Sequence, residues 1–520
     1  MSMTQLFPFS FAPSPHPAHR WPLVLALSLG LGACSTVSLP EQALALSLPA
    51  QWGQGAPLGT PAAVLRAPAS PPSDAGQASV AAPAPAAPAG APSAVVSAPP
   101  AATVDAWWTA FGDARLDALV SSALARNTDL AVAALKLRSA QLQSQLTQRN
   151  QVPGVSAGLS SQSQRSLDGA GSSGSALTRS QSANLSASYE VDLWGRLARL
   201  REASAWEAQA TEQDRQSTLL SLTGTVVRQY WQIAYLNQRI RSAAQSVAYA
   251  ERTRELVAAQ YRAGAVSALE TSEAERSVLT QRATLSDLEQ QRLEARTTLA
   301  LLFDAAPGDA TLAQLLPQEP AQLPNQAMPA VAPELPAQVL ARRPDLRAAE
   351  MRLRETLASA NATAASYYPP LTLTGALGSS SAALGSVLAN PYALLGAGIT
   401  LPFLQFNTQR LNNAIARTQY ESAVLSYRQT LYTALGEVEN VLSARQSLAR
   451  QGESLAGALL ASQRSEQLYE VRYRQGAVAL SLWLDAQEAR RAAEVAWAQN
   501  QWLQLRNQVS LCLALGGSAS

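Results

Sequence analysis

The chain has 520 residues, of which 47% are hydrophobic, 6% aromatic and 15% charged, with a formal net charge of +2. That length can bury a large core, and so even a charge balance argues against nucleic acid or an acidic substrate as partner. Of 39 basic residues only Lys136 is a lysine, and both histidines, His16 and His19, lie near the N-terminus with Cys34, so lysine, His-triad and Cys/His zinc chemistry have almost nothing to work with. The 37 acids leave carboxylate pairs available, yet none stands in a pocket-forming segment. No catalytic residue, metal site or cofactor is expected, and the chain does not read as an enzyme.

Residues 1–33 read as a leader. Trp21 to Ala33 is a short, nearly uncharged run behind Arg20, too short for a confident membrane span. It ends in Leu31-Gly32-Ala33-Cys34, which resembles the lipobox of bacterial lipoproteins; the implied modification is acylation of the Cys34 thiol, the one covalent lipid expected here. Ser35 after it fits sorting to the outer membrane. A plain secretory signal with an incidental cysteine is the alternative. One acyl chain anchors weakly, so a second membrane element is expected. Residues 34–102 are Pro, Ala, Gly and Ser with few large apolar side chains, the composition of an unpacked spacer.

From Asp113 to Asn150 the spacing predicts one helix, with Leu116, Leu119, Val120, Ala123 and Leu124 on its apolar face and Pro153 beyond its end. Val155, Ala157 and Leu159 alternate with small polar residues, the pattern of a strand. Arg165 to Ser180 reads as a loop, followed by a second strand through Leu185, Ala187, Tyr189 and Val191. At Asp192 to Arg196 that strand hands over to a helix of about 67 residues ending near Tyr261, roughly 100 Å long. Leu219, Val226, Ile233, Ile240 and Val247 fall every seventh residue in it, with Leu222 and Leu236 between, a coiled-coil seam. A Gly264-Ala265-Val266 turn leads to a returning helix that runs to Phe303.

The second half repeats the first. Ala125 to Leu130 matches Ala341 to Leu346 at an offset of 216, which also carries Pro153 onto Pro369. Alternating strands through Leu371, Leu373 and Leu377, and through Leu395, Ala397 and Ile399, precede a helix opened by Pro402-Phe403. Its heptad runs Val424, Leu431, Val438, and Tyr261 to Val266 recurs as Tyr473 to Val478 at an offset of 212. The chain is thus two copies of helix, hairpin, long helix and returning helix, at 103–325 and 326–520. Four amphipathic strands cannot close a barrel in lipid, where an open sheet edge is forbidden, so several copies must contribute to a common one.

Trp107 to Asp113, Tyr189 to Arg196, Arg342-Arg343-Pro344-Asp345-Leu346, Tyr473-Arg474-Gln475-Gly476 and Asp485-Ala486-Gln487 together resemble the TolC/OprM outer membrane efflux proteins, in their NodT-like lipoprotein branch. The resemblance implies an α plus transmembrane β fold: a homotrimer whose twelve strands form one barrel, continued by a twelve-helix periplasmic tunnel. It implies an outer membrane location, an inner-membrane RND-type pump and a periplasmic adaptor as partners, and passive conduction of drugs and other small molecules. Energy would come from the pump, and no glycine-rich phosphate loop followed by lysine occurs.

By that resemblance Gly264, Ala265, Val266 and Gly476, Ala477, Val478 form the tips that meet the adaptor. Asp485 matches the family's carboxylate ring at the closed tunnel end, with Glu273 its counterpart and Glu270 a third acid. Leu482 and Ser481 depart from the family pattern beside it. Two other readings stand: a coiled-coil envelope lipoprotein that conducts nothing, and a duct for metal efflux or type I secretion.

Overall fold

The computed structural model describes residues 106–165, 177–306, 308–324 and 342–517, in two compact units. The leader, His16, His19, Cys34 and the spacer fall outside the described residues, as do Pro307 and the centre of the expected 165–180 loop.

The first unit is built on a sheet. Strands β1 (Gly154–Arg165), β2 (Leu177–Val191), β3 (Leu371–Ser381) and β4 (Pro391–Ile399) pair antiparallel in the order β1-β2-β3-β4. The two hairpins thus join through β2 and β3. Both of the first two strands run into the stretch expected to be loop: Gln164 pairs with Thr178 and Ser163 with Arg179. Polar alternation without large apolar residues gave no strand signal there.

The register has no bulge. Val155 lies opposite Ala187, Ala187 opposite Gly375, and Gly375 opposite Leu395. Since every paired position shares its parity, one face of all four strands carries odd numbers and the other even. The odd face holds Val155, Leu159, Leu185, Val191, Leu371, Leu377, Leu395 and Ile399; the even face is mostly Ser, Thr, Gly and Asn, with Leu394 and Tyr392 its bulky members. Serines bridge strands across the even face, Ser156 to Ser186 at 2.8 Å and Ser160 to Ser182 at 2.7 Å.

The strand-to-helix joint at Tyr189 to Arg196 belongs to the same unit, and each of its polar side chains has a job. The Asp192 carboxylate accepts from the Leu197 and Ala198 amides at 3.1 and 2.8 Å, satisfying donors that a helix start leaves free. Gly195 takes φ 74, open to a residue without Cβ. Arg196 forks onto Glu190 at 2.7 and 3.1 Å. Trp194 stacks on Tyr368 at 5.1 Å and donates from Nε1 to the Pro369 carbonyl at 2.8 Å, so it clips the first repeat to the second.

The second unit is helical. A 3₁₀ turn (Trp107–Phe111) leads into α1 (Ala114–Arg126) and α2 (Thr128–Arg149); α3 (Arg196–Arg262) and α4 (Ala268–Leu301) form the first long pair, and α5 (Thr311–Leu315) follows. The second repeat supplies α6 (Pro344–Ala365), α7 (Phe406–Arg474) and α8 (Leu480–Ala514); residues 196–199 of α3, 360–365 of α6 and 406–416 of α7 belong to the first unit. No described helix is long and apolar enough to cross a membrane.

One boundary differs from expectation. The single helix expected over 113–150 breaks at Asn127, whose extended backbone ends α1 while its Oδ1 accepts from the Leu130 amide at 3.0 Å and caps α2. Asn-Thr-Asp is a cap sequence overlooked against a continuous apolar pattern. The repeat explains it, since the 216 offset places α2 on α6, both of 22 residues.

The middle of the seam lies where the heptads put it, while Leu219, Ile240 and Val247 of the same stripe are only half-buried. Leu222, Val226, Ile233 and Leu236 are buried in one core with Trp107, Trp108, Leu116, Leu119, Val120 and Ala123. In the second repeat Val424, Leu431 and Val438 are buried. Cys512 is buried too, and burial pushes its thiol up to about 11, the state of an inert core cysteine.

Candidate functional site

Each long helix pair closes in the same turn. Gly264 and Gly476 both take φ 72, a left-handed conformation costly for residues with a Cβ. Around Gly264 the Ala265 amide reaches back to the Gln260 carbonyl at 2.9 Å and the Gly264 amide to Tyr261 at 3.0 Å. Around Gly476 the Ala477 amide reaches Arg472 at 2.9 Å and the Gly476 amide reaches Tyr473 at 2.9 Å. These paired bonds are the Schellman motif, which satisfies the last carbonyls of a helix.

The structure brings the two turns together. Val257, Ala274, Tyr473, Leu480, Trp483 and Leu484 form one buried cluster, with Val266 and Val478 packed against it. Trp483 stacks on Tyr473 at 5.1 Å and meets Tyr249 edge-on at 6.2 Å. The Tyr473 hydroxyl donates to Gln260 Oε1 at 2.6 Å, tying the second turn to the helix that enters the first. Gly264, Ala265, Gly476 and Ala477 stay exposed beyond this clasp.

The clasp is one-sided. Tyr473 is 7% exposed, whereas its counterpart Tyr261 is 50% exposed. The 212 offset sets Thr271 where Trp483 stands, so Tyr261 has no ring to cover it.

Of the three expected gate acids, Glu270 has a local partner. It accepts from the Ser267 amide at 2.9 Å and from the Ser267 hydroxyl, completing a capping box at the start of α4. The Ser267 hydroxyl and amide hold its carboxyl below the usual range. In the second repeat Ala479 and Leu482 replace Ser267 and Glu270, so box and acid are lost as a pair, and α8 starts without a side-chain cap. Glu273 is half-buried and Asp485 exposed, and the residues beside them, Ala274 and Leu484, are buried in the same cluster. Both carboxylates therefore leave their helices at the same end of this unit.

Behind the clasp lies a lattice of charge that sequence reading missed. Arg490 contacts Glu466 at 3.1 Å and Glu494 at 2.8 Å, while Arg474 holds Glu470 at 2.6 Å. Tyr249 donates to Glu470 at 3.2 Å, and burial together with Glu466 and Glu470 pushes its phenol up. Only the i,i+4 spacing of Arg490 with Glu494 and of Glu470 with Arg474 was legible beforehand.

A profile described as "Outer membrane efflux protein" matches residues 119–303 and 335–517. The chain is 34% identical over 417 residues to the pyoverdine export outer membrane protein OpmQ of Pseudomonas putida, covering 79% of this chain and 87% of that one. It is 30% identical over 416 residues to the outer membrane protein OprJ of Pseudomonas aeruginosa, covering 79% and 86%. The solved outer-membrane channel OprN superposes with a TM-score of 0.71 at 27% identity, covering 79% of this chain and 92% of that one. Two repeats, two matching profile segments and a relative matched over 87% of its length agree: the chain belongs to the outer membrane efflux protein family.

Proposed function

We propose that three copies of this chain form the exit duct of a tripartite efflux system, passively conducting small molecules handed over by a periplasmic adaptor and an inner-membrane RND-type pump. The observation that carries this is the four-stranded sheet, apolar on odd positions and polar on even ones, with β1 and β4 left as unpaired edges among the described residues. Such a sheet has a lipid side and a water side, and its edges must be paired before it can sit in a membrane. Three copies give twelve strands, and their long helix pairs give twelve helices. OpmQ is named for pyoverdine export, which supports a small organic cargo.

In this reading Cys34 carries the lipid anchor, the two Schellman turns meet the adaptor, and Asp485 with Glu273 rings the closed periplasmic end. A ring of like charges repels itself and draws cations, as a gate and filter would. Conductance of the purified protein across a planar bilayer tests the proposal. Discrete trimer-sized channels are expected; a protein that inserts and conducts nothing would leave the structural-bridge reading in its place.

A further inference from the structure

The odd face of the sheet is more than a uniform apolar band. Its rows run from Val191, Leu371 and Ile399 at the joints with the helices up to Leu159 and Ala183, then change to Ser161 and Gln181, then to Ser163 and Arg179, and end at Arg165 opposite Leu177. The band covers eight residue steps of β2, roughly 27 Å along the strand, or about 20 Å of height at the tilt of a barrel strand, near the apolar height of an outer-membrane barrel. Its upper edge is not filled. A shallow depression of about 640 Å³ opens there, its lining including Ala157, Leu159, Ala183, Leu185, Leu377 and Leu388.

The strands carry three charges among the described residues. Glu190 sits on the even face at the helix end and is paired with Arg196. Arg165 and Arg179 sit on the odd face at the hairpin end, both exposed. Arg179 stands four residues above Ala183 on the same strand face, roughly 14 Å from the depression. Asp168 is the one acid in the segment that joins β1 to β2.

We propose that this face holds a phosphorylated, multiply acylated lipid of the outer leaflet, with an acyl chain in the Ala157–Ala183 depression and a headgroup phosphate on Arg179 beside Arg165. The inference rests on the reading of the sheet as part of an outer membrane barrel, in which the helix ends face the periplasm and the hairpin ends the cell exterior. The small side chains leave room for a chain that a flat band would exclude, and a guanidinium fork suits phosphate oxygens. Arginine is also tolerated at the edge of a lipid face, where its cost falls to nearly nothing.

The test uses the full-length trimer in detergent, with hexa-acylated, bis-phosphorylated lipid A as probe and bound lipid counted by native mass spectrometry. Native protein should retain lipid A about tenfold better than its dephosphorylated form and better than phosphatidylglycerol. R165Q/R179Q should erase the preference for phosphate, and Ala183→Phe should lower retention of both forms. Equal retention of the two forms, or of phosphatidylglycerol, by native protein overturns the proposal; that comparison needs no variant and so survives a variant that fails to assemble. Conductance of the same preparation reports the barrel separately. Channels without lipid preference sink this inference alone, and absence of channels sinks the duct.

Discussion

Arg343 reaches across the second repeat to the end of its last helix, donating from Nη1 to the Ala514 carbonyl at 3.2 Å. The first repeat makes the same stitch with a different residue: Asn127 Nδ2 donates to the Leu302 carbonyl at 3.0 Å. Both hold the start of a short helix against the end of a returning one, and both are buried. Arginine adds two anions, Asp345 at 2.7 Å and Glu437 at 2.8 Å. Arg343→Ala should therefore cost about 2 kcal/mol, chiefly because it strips a buried carbonyl of its partner, the two carboxylates being exposed enough to hydrate. Denaturant titration of the helical signal measures it, and a loss below about 1 kcal/mol would contradict this role.

The same knot sets a dependence on pH. Burial opposes ionisation of Asp345, but the Arg343 hydrogen bonds and charge outweigh it and hold the carboxyl below its ordinary range. A depressed folded value means the contribution is present above the unfolded value and lost as pH falls through the folded one. Native protein should lose stability below about pH 4, and Asp345→Asn should flatten that part of the curve. Parallel curves for the two proteins would show that other carboxylates carry the acid sensitivity.

Gly476→Val places a β-branched residue at φ 72 on an exposed turn. Strain of about 1–2 kcal/mol is expected at the tip, with trimer yield preserved because the clasp of Trp483 on Tyr473 lies below it. Complementation of an efflux-deficient strain should fall if this turn meets the adaptor. Undiminished drug resistance would move the contact elsewhere.

Much of this was readable in advance, and what was not shares a cause. The long helices, both tip glycines, the seam at Val226, Ile233, Leu431 and Val438, and the duplication followed from periodicity and repetition, which a sequence displays directly. The Asn127 break, the capping box on Glu270 and the ring stack of Trp483 on Tyr473 were not. Each depends on one local side chain choosing between partners, and residues 10 apart in sequence, like Tyr473 and Trp483, meet only once the turn is built. The far halves of β1 and β2 were missed because polar residues occupy both faces.

Glu270 and Asp485 separate two kinds of acid at the tip. Glu270→Gln should raise amide hydrogen exchange at residues 267–271 and leave conductance unchanged, because its carboxylate is engaged by Ser267. Asp485→Ala should leave exchange unchanged and lower the cation-to-anion permeability ratio, because three copies would lose three carboxylates from the ring together. An unaltered ratio would remove Asp485 from the conducting path.

Cys34→Ser should abolish incorporation of labelled palmitate, since the thiol is the acceptor in the lipobox reading. Equal label in the variant would refute it.

The unbroken register of the sheet also limits how the chain can change. Every pair across three strand junctions shares its parity. One residue inserted into any strand would move all that follows it in that strand to the opposite face, serines onto the apolar side and leucines onto the polar one. Strand length can therefore drift freely at the hairpin tips but only in steps of two within the paired strands, so relatives with longer strands should differ inside them by even numbers.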